Sequence, residues 1–230
     1  MSTLKEQFKS ISIISDLAKQ LYWRIIRNLT KRRPFPGSQK YWEERYASGG
    51  TSGVGSYETF AEFKAEIVNS FVARHGVMSV IEFGCGDGNQ LGLANYQQYL
   101  GLDVSETAID LCKHKFASDT NKTFKLMREY EGEVADLSLS LDVIFHLIED
   151  EVFESHICSL FKASSRYVII YSSNYNKRHK ADHVRHRQFT PWVEENAPDW
   201  RIKDHIPNRY PYHGDYKKGS FADFYIYEKA

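Results

Sequence analysis

Ser79-Val80-Ile81-Glu82-Phe83-Gly84-Cys85-Gly86-Asp87-Gly88-Asn89-Gln90 reads as a short apolar strand running into a loop with glycine at every second position. Such glycines let the main chain turn sharply and leave bare backbone for a ligand to lie against. A second apolar run, Tyr99-Leu100-Gly101-Leu102-Asp103, follows and ends in a carboxylate. At the carboxyl edge of the neighbouring strand, Asp103 is placed to accept hydrogen bonds from the two hydroxyls of a ribose. Together these features predict a nucleoside-type cofactor. A dinucleotide loop requires glycine at the sixth position of G-x-G-x-x-G. Asn89 stands there instead, which argues against a nicotinamide-dependent oxidoreductase, the reading that a glycine-rich turn alone would allow.

Outward from this point the chain alternates between strand and helix patterns. A helix from about Thr59 to His75 carries Phe60, Phe63, Ile67 and Phe71 on one face and is ended by Gly76. Strands are predicted at 78–83, 99–103, 123–127, 135–141 and 166–171. Helices are expected from about Gln90, after Ser105 as N-cap, and over about 151–163. Thr190-Pro191 opens a further helix with proline at its first position, and two strands, 200–206 and 221–227, close the chain. This alternation predicts an α/β fold with a mainly parallel sheet and helices on both faces.

A chain of 230 residues with 26% charged residues suits one soluble globular domain, and its formal net charge of zero gives no reason to expect a polyanion partner. Residues 1–33 are the exception, with eight Lys or Arg against two acids. Residues 4–30 have the spacing of an amphipathic helix, through Ile11, Ile14, Leu17, Leu21, Ile25 and Leu29, and Pro34 ends it. Its apolar stripe suits packing on the domain or on a second copy in a homodimer. Its cations suit peripheral contact with an anionic membrane surface through residues 4–33. The division expected is a basic helix over 1–37 and a domain over 38–230. Three unpaired cysteines, no run long enough to span a bilayer and no leader pattern predict a cytoplasmic chain, at most peripheral to the inner face of the membrane.

The pattern Glu82-x-Gly84-x-Gly86-x-Gly88, followed by a strand ending in Asp103, resembles the first two motifs of the class I S-adenosylmethionine-dependent methyltransferases. The resemblance covers about residues 40–230. It implies a Rossmann-like seven-stranded sheet, mostly parallel with an antiparallel C-terminal strand, and S-adenosyl-L-methionine as cofactor. It places Glu82, Gly84, Cys85, Gly86 and Gly88 beneath the cofactor, Asp103 and Val104 at its ribose, and Ser140 beside it. Tyr41, in Tyr41-Trp42-Glu43-Glu44-Arg45-Tyr46, belongs to the helix that contributes to such pockets, and the Gly/Ser-rich stretch 48–56 suits a lid.

Asp142-Val143-Ile144-Phe145-His146 resembles the fourth motif of small-molecule methyltransferases. His146 is therefore the candidate general base, with Asp142 to assist it or to orient the cofactor. A divalent cation shared by Asp142 and Asn174 is the weaker alternative, since two oxygen ligands do not make a site; no metal is assigned. Residues 177–187 bring five Lys or Arg and three His near the expected acceptor mouth. They suggest a small acceptor bearing phosphate, carboxylate or sugar-phosphate groups, and equally a solvated loop. No nucleic-acid module is visible. The expected activity is O-methylation of a small polar acceptor, with surface-polysaccharide biosynthesis as the setting the resemblance suggests. A non-catalytic or membrane-associated scaffold that keeps the cofactor fold is the alternative.

Overall fold

The computed structural model describes residues 34–230. The chain divides into two units, Met1–Pro36 and Gly37–Ala230, and the second carries the fold. The basic helix expected over residues 4–30, with its membrane and homodimer readings, lies outside the described residues.

Seven strands form one sheet: β1 (Ser79–Phe83), β2 (Gln98–Asp103), β3 (Lys122–Leu126), β4 (Ala135–Leu141), β5 (Ser164–Ser172), β8 (Trp200–Ile206) and β9 (Asp223–Lys229), in the order β3-β2-β1-β4-β5-β9-β8. All pairings among the first five are parallel, and β9 runs antiparallel to both of its neighbours. A two-residue hairpin, β6 (Lys177–Arg178) with β7 (Arg185–His186), stands apart. The strand order reverses between β1 and β4, so the crevice outside their carboxyl ends is the topological switch point where ligands of open α/β sheets bind.

Helices α1 (Ser38–Ala47), α2 (Glu58–His75), α3 (Glu106–Lys115), α4 (Asp150–Lys162) and α5 (Thr190–Asn196) complete the unit. Phe63, Val68, Phe71 and Val72 of α2 and Ile109 and Cys112 of α3 share one core with Leu137, Leu139, Ile169 and Tyr171 of the sheet. Phe153, Ile157 and Leu160 of α4 and Val193 of α5 share the other with Ile81, Phe83, Val168 and Ile170. The central strands are buried on both faces, as parallel strands between helix layers must be.

Two helix boundaries follow their expected chemistry. Gly76 takes the left-handed conformation, φ 58°, that ends α2. Ser105 caps α3 by accepting the Ala108 N–H at 3.1 Å. One element differs from expectation. The segment from Gln90 forms a single 3-10 turn, Gln90–Leu93, and then extends into β2. A parallel crossover needs about a dozen residues, and much of 84–97 is already spent on the glycine loop. The turn rests on α2, with Gln90 Nε2 donating to the Ala61 carbonyl at 3.0 Å and Asn69 Nδ2 to that of Leu93 at 2.8 Å.

Ser105 also donates to Glu43 of α1 at 2.6 Å, and Glu43 takes the Thr107 hydroxyl at 2.6 Å as well. The α3 N-terminus is thus one anchor of α1, and Glu149, which accepts from Ser38 N and Oγ at 2.9 and 2.6 Å, is another. Ser105→Ala is expected to lower unfolding stability by about 1–2 kcal/mol, read as a shifted urea midpoint at unchanged slope.

Candidate active site

The glycine loop leaves β1 with its direction fixed by two N–H donors, Gly84 and Cys85, on the Leu102 carbonyl at 2.7 and 3.0 Å. Gly84 and Gly86 have φ of 89° and 59°, and neither has room for a side chain. A Cβ at Gly84 would meet Val143 Cγ2 at 2.5 Å, and one at Gly86 would meet Ser52 Oγ at 2.3 Å. Gly88 has a packing reason, since Phe116 and Cys112 press on it. Cys85 is buried, and burial with a hydrogen bond to Cys112 holds its thiol well above the ordinary range, so it is an inert packing group.

Glu82 and Asp103 are both buried beside this loop. Desolvation raises Glu82 to about 7, against the hydrogen bond it accepts from Tyr99 Oη at 2.6 Å and the attraction of Lys64. Desolvation likewise raises Asp103 to about 6, opposed by backbone N–H groups. Its Oδ1 accepts from Ser105 N and its Oδ2 from Gly86 N, each at 2.9 Å. The carboxylate thereby ties two strand-to-helix turns together, and each oxygen retains a further acceptor site. The backbone N–H of Val104 also favours the ionised carboxylate.

The Gly/Ser-rich stretch lies on the glycine loop. Asp87 Oδ2 accepts from Ser52 N and from Tyr57 Oη, both at 2.8 Å, and Asp87 N donates to Ser52 Oγ at 3.0 Å. Asn89 Nδ2 holds the Ser56 carbonyl at 2.8 Å. On the other side, Arg45 Nε donates to the Thr51 carbonyl at 2.5 Å, with its guanidinium 5.5 Å from the Trp42 ring centre. Tyr41 stacks on His183, with ring centres 4.6 Å apart.

Beyond β4, Asp142 adopts φ 61°, a left-handed conformation that aspartate tolerates better than most residues. Its Oδ2 receives the fully buried ammonium of Lys64 at 2.6 Å. His146 sits in the 3-10 turn Ile144–His146, stacked on His183 with Trp42 edge-on. Its Nδ1 is 2.8 Å from the His183 carbonyl. Only a protonated Nδ1 can make that bond, so the hydrogen-bond pattern assigns the lone pair to Nε2. Burial lowers His146 to about 3, and the ring is neutral at physiological pH.

Three further sets of side chains are engaged within the fold. Ser140 is buried and its hydroxyl lies 2.9 Å from His156 Nε2 of α4, so it belongs to the sheet–helix packing and not to the crevice. Asn174 spends its oxygen on Phe189 N and Thr190 N at the start of α5, which removes it as a partner for Asp142. No group of three metal-ligating side chains occurs among the described residues. In the basic segment, Arg187 is buried and reaches the Leu147 and Ile148 carbonyls and Asp150, while Arg185 bonds the Ile148 carbonyl and Asp150. These two arginines brace the turn after β4. Lys177, Arg178 and Lys180 stay exposed.

A family model of the methyltransferase domain matches residues 81–169, from β1 through β5. Residues 81–169 are thus similar to a methyltransferase domain. The fold agrees with several solved methyltransferases. The N-methyltransferase NodS from Bradyrhizobium japonicum WM9, solved with S-adenosyl-L-homocysteine, superimposes with a TM-score of 0.65 at 12% identity, over 84% of this chain and 98% of that one. Magnesium protoporphyrin IX methyltransferase from Synechocystis PCC 6803, with bound S-adenosylmethionine, gives 0.59 at 15% identity, over 86% and 100%. The 16S rRNA methylase RmtB gives 0.51 at 16% identity, over 92% and 82%. No curated protein sequence matches the chain significantly.

The crevice has a donor set suited to S-adenosylmethionine. Asp103 offers two free acceptor sites for ribose hydroxyls, and buried Glu82 with half-buried Asp142 suits a ligand carrying ammonium and sulfonium charges. The sequence reading missed Lys64, Arg45 and Asp87. Lys64 was detectable, since it lies in the apolar stripe of α2 between Phe60, Phe63, Ile67 and Phe71, where an unpaired cation would be costly.

Two substitutions test this arrangement. Lys64→Met should destabilise the domain by about 3 kcal/mol, because Asp142 loses its partner in a partly buried position; thermal melts with Asp142→Asn as the companion variant measure it. Asp87→Ala should free the 48–56 lid and hasten its amide hydrogen exchange while exchange in β4 and β5 stays unchanged.

Proposed function

We propose that this methyltransferase transfers the methyl group to a hydroxyl oxygen of a small polar acceptor, with His146 Nε2 receiving the acceptor's proton. The observation that carries the reading is the His146–His183 hydrogen bond, which fixes the imidazole in the tautomer whose Nε2 has a free lone pair. Bound S-adenosylmethionine supplies an electrophilic methyl on a positively charged sulfur. The chain contributes placement and a dry site: Asp103 and the glycine loop hold the nucleoside, and the lid excludes water. A hydroxyl acceptor must lose its proton during transfer, and a neutral base at the carboxyl edge suits that need. The exposed Lys177, Arg178 and Lys180 suit an acceptor that also carries negative charge.

His146→Ala is expected to lower turnover about a hundredfold while S-adenosylhomocysteine affinity, measured by calorimetry, stays constant. Undiminished turnover would remove His146 from the chemistry. Asp103 makes a pH-dependent claim. Burial raises its carboxyl to about 6, so the ionised form that accepts two ribose hydroxyls is lost as pH falls through that value. Affinity for S-adenosylhomocysteine should drop below about pH 6, and Asp103→Asn should flatten the step. Asp103→Ala should weaken binding tenfold to a hundredfold, from the roughly 1.5–3 kcal/mol of a charged hydrogen bond.

A further inference from the structure

Beside the 48–56 stretch lies a groove of about 490 Å³, within the size range of small-molecule sites. It runs between residues 51–60 and the connection from β8 to β9. Tyr57, Phe60 and Tyr210 supply aromatic surface, while Glu58, Lys217 and Lys218 supply charge. None of these three charged groups has an ion-pair partner among the described residues.

The far wall is fixed in place. Arg209 clamps Glu66 of α2 through two bonds of 2.8 and 2.7 Å. Tyr210 N donates to Asn208 Oδ1 at 2.8 Å, and the Tyr210 ring meets Phe60 and Phe63 edge-on. The near wall carries Glu58 at φ 46°, a left-handed conformation unusual for glutamate.

The groove leads toward the chemistry. Phe60 and Lys64 are one turn apart on the same face of α2, and Lys64 holds Asp142 at the end of β4. Gly55, in the lid, comes so close that a Cβ there would stand 2.8 Å from Asp142 Oδ2. The lining residues Val54 and Phe60 are thus next to Gly55 in sequence and one helical turn from Lys64, the two residues that approach Asp142 at the end of β4.

We propose that this groove is the docking subsite for the acceptor and that it takes a saccharide unit. The assignment rests on the methyl-transfer reading only for naming the ligand an acceptor. Sugar rings present apolar C–H faces that pack on aromatic side chains and a rim of hydroxyls that both donate and accept. The groove offers the matching set: aromatic surface, a carboxylate that accepts and two ammonium groups that donate. A polyphosphate or nucleotide fits less well, since Glu58 opposes the two lysines at the same rim.

The test is saturation-transfer NMR on the full chain with S-adenosylhomocysteine present. The probes are the methyl glycosides of glucose, galactose, mannose and N-acetylglucosamine, with glucuronic acid, glucose 1-phosphate and adenosine monophosphate. At least one saccharide should receive saturation, and Lys217→Ala/Lys218→Ala with Glu58→Gln should weaken it about tenfold without altering S-adenosylhomocysteine affinity. Preference for glucose 1-phosphate over the neutral glucoside would assign the lysines to phosphate within the same saccharide reading. Saturation of adenosine monophosphate alone, of no probe, or of saccharides equally in the triple variant overturns the groove assignment. Saccharide binding without any S-adenosylhomocysteine binding would instead sink the transfer reading and leave the groove standing. The substituted side chains are exposed, and an unchanged thermal melt confirms that the variant is folded.

Discussion

Three carboxylates, Glu82, Asp103 and Asp142, stand at or just past the ends of the adjacent strands β1, β2 and β4, with Lys64 as the buried ammonium among them. That imbalance of charge governs the crevice. Burial pushes Glu82 to about 7 and Asp103 to about 6, so neither anion is comfortable in the ligand-free protein. Asp103 is kept partly ionised by backbone N–H donors, and Glu82 by the Tyr99 hydroxyl and Lys64. A positively charged group beside them would offset the desolvation that burial imposes on both carboxylates. A pyrophosphate would add charge of the wrong sign beside these acids, so the electrostatics suit a sulfonium nucleoside better than a dinucleotide.

The same geometry couples the cofactor crevice to its cover. Gly86 lacks a side chain, and Ser52 of the lid takes up that space; Asp87, the next residue, holds the lid by Ser52 N and Tyr57 Oη. One stretch of backbone therefore lines the crevice and also holds the 48–56 stretch. On the other side α1 is anchored by Glu43 to the start of α3, immediately after Asp103. Movements of the lid and of α1 both converge on the two turns that Asp103 joins.

The sheet was legible because its strands are short apolar runs between glycines and polar turns, and β4 has the predicted bounds of 135–141. The missing helix after the glycine loop was a matter of length, which periodicity does not weigh. Ser140 illustrates a misused signal: Leu137, Leu139 and Leu141 alternate with Ser138 and Ser140, and period two sends both serines to the face of α4. Arg185 and Arg187 looked like a cationic mouth because a sequence displays charge without displaying the carbonyls that absorb it. Asp87's grip on the lid joins positions more than thirty residues apart, and no local pattern announces it.

His146 raises the question of how so weak a base could serve. Burial that lowers it to about 3 keeps its lone pair free across the physiological range, at the expense of basicity. Such an imidazole cannot remove a proton from a free alcohol ahead of the transfer, since the alcohol is far too weak an acid. As the carbon–oxygen bond forms, however, positive charge builds on the acceptor oxygen and its proton becomes strongly acidic. A base of this strength accepts the proton only then. On the proposed reading, burial favours an order in which bond formation leads, proton transfer trails, and no alkoxide is formed beforehand. Had the histidine been exposed, with an ordinary imidazole value, it would be half-protonated near neutrality and the chemistry would rise and fall with it.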